Sequence, residues 1–150
     1  MELYQQNNCA FIRPDGSSCP GSVEGEGAFC YWHDDSADKR GAEVKTALEE
    51  WVATGKSMEG FVLCGASLEG VRLSNPELGY DMRGANFLRA NLRGARMFNI
   101  NLEGSDLLKV DLPGANLNQA KLRDANLLGA ILYGASLEQV EWGVRWFVND

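Results

Sequence analysis

The sequence holds a single histidine, His33. No apolar run approaches the roughly 18 residues a membrane helix needs. The opening MELYQQNN has no basic segment followed by an apolar one, so no signal peptide is read there. Phosphate-binding loops are absent too: the glycines recur at fives, not at the spacing of a P-loop or a dinucleotide fold. With one histidine, acid–base catalysis would need converging carboxylates. The Asp and Glu of residues 56–144 instead alternate with Arg and Lys. These absences argue against an enzyme and for a cytoplasmic chain in a reducing compartment. There, clustered cysteines more often bind metal than pair as disulfides.

What is present is a period. From Ala85 to Gln139 the chain reads in fives: ANFLR, ANLRG, ARMFN, INLEG, SDLLK, VDLPG, ANLNQ, AKLRD, ANLLG, AILYG, ASLEQ. In each unit position 3 is large and apolar, from Phe87 and Leu92 to Leu132 and Leu137. Position 1 is small or β-branched, and the other three are mostly polar. Neither a helix of 3.6 residues per turn nor an alternating strand keeps a strict period of five. A fixed short period means a stacked solenoid, here all-β. Units also recur at twenty: Ala85–Arg89 is ANFLR, Ser105–Lys109 SDLLK and Ala125–Gly129 ANLLG. Four units per coil then stack Phe87/Leu107/Leu127, Leu92/Leu112/Leu132, Met97/Leu117/Leu137 and Leu102/Leu122/Trp142 as interior columns.

The pattern A-(D/N)-L-x-x resembles that of the pentapeptide-repeat family. The resemblance implies a right-handed quadrilateral β-helix over residues 56–144. The units start at Lys56 as KSMEG, FVLCG, ASLEG and VRLSN, and the frame then slips. Leu78 continues the series, yet the next centre is Met82, so Asn75–Gly79 carries a one-residue deletion or a local loop. Trp142 reads as a plug, and Trp146 and Phe147 in residues 145–150 as an aromatic cap or an interface.

Residues 1–35 differ. Cys9, Cys19, Cys30 and His33 are spaced C-x9-C-x10-C-x2-H. Three thiolates and an imidazole are a common tetrahedral zinc set, and so short a segment has little other core. The alternatives are a disulfide or unliganded buried cysteines. The spacing resembles the plant WRC module, associated with DNA binding. That module is rich in Arg and Lys, whereas Glu24, Glu26, Asp34 and Asp35 surround the ligands here, which disfavours nucleic acid. Four protein ligands also leave a catalytic zinc no open position. Within the linker and helix of residues 36–55, Val44, Leu48 and Trp51 mark one apolar face. Ser36 or Asp38 is expected to cap its start and Gly55 to end it. Its expected role is to cover the open end of the first coil, and the alternative is a partner-binding helix. Cys64 follows a centre and is expected to point outward.

Residues 1–55 carry ten acids against four bases, while residues 56–144 carry ten against nine. One branch of the family implies a second function: a DNA mimic that binds DNA gyrase and protects it from quinolones. A near-neutral coil with Arg83, Arg89, Arg93, Arg96 and Lys109 at its middle departs from that branch. The favoured expectation is a structural or protein-interaction scaffold. Its contact edge would be Leu88, Leu108 and Leu128, flanked by Arg89 and Lys109 and joined by Trp146 and Phe147. It would serve a homodimer or a protein partner, unless the leucines merely stack on one another.

Overall fold

The computed structural model describes residues 8–21, 23, 27–74 and 79–143. The chain divides into two compact units, Met1–Ala37 and Asp38–Asp150. Among the described residues no helix is long and apolar enough to cross a membrane.

The N-terminal unit is built on a tight hairpin. Pro14-Asp15-Gly16 reverses the chain, with Gly16 at φ +84°, where an L side chain is strained. The Asp15 carboxylate accepts the Ser17 N–H at 2.8 Å. Ile12 and Ser18 then pair antiparallel.

The second unit opens with helix α1, Glu43–Ala53. Its apolar spacing buries Val44 and Leu48. Neither expected N-cap is used: Ala42 occupies the cap with no side-chain hydrogen bond. Asp38 instead accepts from the Arg40 N–H and guanidinium, and Ser36 donates to Asp34. Gly55 does stop the helix, at φ +70° one residue beyond the Thr54 cap.

From Met58 onward the chain winds in coils. Asn86 pairs in parallel with Asp106, and Asp106 with Asn126. Asn91, Asp111 and Ile131 follow the same step, as do Arg96, Asn116 and Ser136. The two-residue strands Tyr80–Asp81 (β1) and Ile100–Asn101 (β2) complete the fourth side. Each pair is twenty residues apart, so four five-residue units make one coil. Centres line the interior: Leu92, Leu112, Phe87 and Leu107 are at most 1% exposed.

The first coil is longer. Val62 pairs with Asn86, Ser67 with Asn91 and Arg72 with Arg96, each twenty-four residues apart. Four extra residues therefore lie between Leu73 and Tyr80. The frame break is an insertion, not a one-residue deletion; Leu78 itself lies outside the described residues.

Repeat chemistry follows from two local devices. The position-2 side chain accepts the N–H two residues on: Asn86 from Leu88, Asp106 from Leu108, and Asn116 from Asn118, each at 3.0 Å. Asn and Asp are the residues whose short acceptors close such turns. The position-5 residue has positive φ, from Gly60 at +71° to Gln139 at +56°. A β-turn with positive φ at its third residue favours glycine. Gly104 has φ +67° and open space where a Cβ would stand. Gly104→Ala is thus expected to lower stability by about 1–2 kcal/mol through backbone strain alone. Urea denaturation would measure it; an unchanged midpoint would show that the turn relaxes.

α1 docks on the first coil. The Trp51 ring meets Phe61 edge-on at 5.4 Å, and its Nε1 donates to the Lys56 carbonyl at 3.1 Å. Within the stack the Arg96 N–H donates to the Val71 carbonyl of the coil before it. Arg72, at the same place in the first coil, donates to the Glu49 carboxylate at 3.0 Å. The Tyr80 hydroxyl donates to the Lys56 carbonyl at 2.6 Å.

At the other end, the expectation that Trp142 continues the interior column is corrected in burial but not in register. Glu141 keeps register with Lys121, which puts Trp142 next on the centre column, but Trp142 is 43% exposed. Leu132 and Leu137 are half-buried. No described coil covers this layer.

Candidate metal centre and outer ladder

The hairpin brings Cys9 and Cys19 together. The Cys9 N–H donates to the Gly21 carbonyl, and the Cys19 N–H to the Phe11 carbonyl, each at 3.1 Å. Cys30 and His33 share one tight turn, in which His33 and Asp34 both donate to the Cys30 carbonyl. The four ligand atoms lie within 4.8 Å of one another, and all four residues are buried. His33 Nδ1 is 3.3 Å from Cys30 Sγ and 3.6 Å from Cys9 Sγ, and Cys19 Sγ is 3.8 Å from Cys30 Sγ. Metal bonds of about 2.1–2.3 Å make tetrahedral edges of about 3.5–3.8 Å. These residues can hold a metal ion.

Three further residues shape the site. Phe11 stacks flat on the His33 ring, 3.9 Å between centroids and 10° apart, fixing the imidazole plane. The Gly21 N–H lies 3.3 Å from Cys19 Sγ. A Cβ on Gly21 would stand 2.8 Å from Cys30 Sγ, so only glycine fits there. Nothing in the C-x9-C-x10-C-x2-H spacing points to Gly21 or Phe11.

Burial pushes the Cys30 thiol up to about 12, and burial raises Cys19 as well. At Cys9 burial acts in the same direction, but backbone hydrogen bonds at Cys30 and Phe11 outweigh it and lower the thiol. Buried thiols of this kind become good ligands when a cation sits against them.

Leu88, Leu108 and Leu128 stack in register along one edge, with the Arg89 N–H donating to the Leu108 carbonyl and the Lys109 N–H to the Leu128 carbonyl. Leu88 and Leu108 are half-buried and Leu128 is 73% exposed, so the stripe points outward. Arg89 and Lys109 beside it are exposed. The Lys109 stem lies over Gly129, where an added Cβ would be 3.1 Å from Lys109 Cγ. Cys64 belongs to the same column: the Gly65 N–H donates to the Leu88 carbonyl, which puts Cys64 above Leu88. Carrying the twenty-four-residue first step back from Leu88 would have found it. Trp146, Phe147, Glu24 and Glu26 lie outside the described residues.

The sequence profile of pentapeptide repeats matches residues 79–107 and 100–139, in eight copies. Residues 79–139 are therefore a pentapeptide-repeat segment, which implies a right-handed β-helix. Solved structures similar to the chain include the following three. HetL, a pentapeptide repeat protein involved in heterocyst differentiation regulation in the cyanobacterium Nostoc sp. strain PCC 7120, is 38% identical over 53% of this chain, with TM-score 0.28. A pentapeptide repeat protein of the Arabidopsis thaliana thylakoid lumen is 29% identical over 57%, with TM-score 0.32. A third, from the cyanobacterium Cyanothece 51142, is 26% identical over 56%, with TM-score 0.33. The matches span 38%, 57% and 58% of those chains. No curated protein matches the chain.

Proposed function

We propose that this chain is a non-enzymatic protein-interaction scaffold. A structural zinc, held by Cys9, Cys19, Cys30 and His33, organises the N-terminal module. A right-handed quadrilateral β-helix capped by α1 presents the contact edge. That edge is Leu88, Leu108 and Leu128 flanked by Arg89 and Lys109, and Trp146 and Phe147 add to it. The observation that carries this reading is the outward leucine column, ending in Leu128 at 73% exposure. Contiguous exposed apolar surface tends to mark contact sites. A thiol-based zinc set also fits a reducing compartment, so we place the chain in the cytoplasm.

DNA mimicry of gyrase is not favoured. Arg89, Arg93 and Arg96 are exposed on the middle coils, where a mimic needs acid.

Changing Leu88, Leu108 and Leu128 together to Ser tests the edge. Sedimentation and partner capture should show a lower oligomeric state or loss of a bound protein. The triple variant should keep its fold, because none of the three is a core centre. An unchanged state and unchanged capture would reduce the column to a self-stacking ladder.

A further inference from the structure

We propose that the β1 side of the repeat unit carries a binding site for a small oxyanion, a carboxylate or phosphate. A cavity of about 470 Å³ opens there, lined by Ser57, Asp81, Asn101 and Lys121 and, at the neighbouring corner, by Gly79 and Asn99. Asp81 pairs with Asn101 and Asn101 with Lys121, so these three side chains descend one coil at a time.

The acid in this column is already satisfied. Asp81 takes both nitrogens of the Arg83 fork, at 2.9 and 3.0 Å, and the Ser57 hydroxyl at 3.0 Å. What remains is donors. Asn101 uses Oδ1 to accept the Glu103 N–H, which leaves its Nδ2 for a ligand. Lys121 is half-buried and makes no ion pair among the described residues. The acid nearest it in register, Glu141, is exposed and does not line the cavity.

Asn99 supplies a third donor and a backbone argument. It stands at position 5 with φ +55°, where glycine is the unstrained choice. Gly79 makes room above it: a Cβ there would collide with the Asn99 carbonyl and lie 3.0 Å from its Nδ2. Two amide side chains and one ammonium thus line a cavity whose carboxylate is already paired. A charge-assisted hydrogen bond to an oxyanion fits that lining. A cation would meet Lys121.

The site does not depend on the scaffold reading. Full-length 15N-labelled protein would be titrated with inorganic phosphate and, separately, with succinate, at ionic strength matched by chloride. Saturable shifts are expected at the Asn99, Asn101 and Lys121 amides with at least one of the two. Lys121→Met should weaken that binding about tenfold or more, and Lys45→Met on α1 should not change it. Asn99→Gly, which removes a donor while relieving the backbone, should also weaken it and keep the spectrum folded. Non-saturating shifts with both anions, or equal loss in Lys45→Met and Lys121→Met, would overturn the proposal.

Discussion

Stripping zinc from the intact protein with a chelator should unfold the N-terminal unit and leave the repeat unit folded. The reason lies in what each core is made of. Among the described residues of Met1–Ala37, the buried apolar set is only Cys9, Cys19, Cys30 and Trp32, with His33 beside them. Remove the ion and this core becomes three thiols around an imidazole, too little apolar surface to offset chain entropy. Structural zinc in small domains contributes on the order of 10–16 kcal/mol of apparent binding free energy near neutral pH, and that energy is folding energy. Amide signals of residues 8–34 should collapse toward random-coil positions, and added zinc should restore them. Cys30→Ser should give the same collapse without chelator. The Leu and Ala columns of the other unit contain no ligand residue, so their signals should persist. Elemental analysis of protein made without chelator should find one zinc per chain. A disulfide between any two of the four residues, or an N-terminal spectrum indifferent to chelator, would refute the site.

The second large effect lies in the repeat core. Leu112→Ala should cost about 2–5 kcal/mol, since it leaves a cavity that stiff neighbouring coils cannot close. Leu112 is 1% exposed, with Leu92 stacked above it at 0%. The same change at Leu132, one coil on and half-buried, should cost about half as much. Coils couple to their nearest neighbours, so the Leu112 cavity should also loosen the coils on either side. Urea denaturation of the two variants gives the ratio. Equal costs would mean that the last layer is as well covered as the middle. A Leu112 cost below about 1 kcal/mol would put the five-residue frame itself in error.

The repeat was legible because each unit repeats the same physical demand. A coil needs one large side chain inward, one small residue beside it, and an acceptor that can close a turn. Ala90-Asn91-Leu92 states all three in the sequence. The break was only half legible. Asn75-Pro76-Glu77-Leu78-Gly79 reads as a unit in its own right, with a leucine at its centre. An insertion close in length to a repeat imitates a repeat, and the pairings of Val62 with Asn86, Ser67 with Asn91 and Arg72 with Arg96 show that four residues are extra.

Legibility at the metal cluster was of a different kind. The donor types are plain in the sequence, but C-x9-C-x10-C is not a spacing that forces convergence. The hairpin at Gly16 and the Cys30–His33 turn do that, and Gly21 and Phe11 enter only through packing. The cap of α1 was misread for a local reason. Asp38 has a nearer donor in Arg40, two residues on, than any amide of a helix that begins at Glu43.

Parallel rungs stacked on a common axis present, at an open end, the same row of amides and carbonyls that lets a fibril recruit its next strand. Glu49 and Tyr80 occupy part of that row at the α1 end: the carboxylate takes the Arg72 amide and the phenol feeds the Lys56 carbonyl. A chain approaching from this side meets the outer face of an amphipathic helix, with Thr46 and Glu50 exposed in place of a template. Self-templating growth along the axis is therefore blocked in one direction, and one carboxylate contributes to the stop.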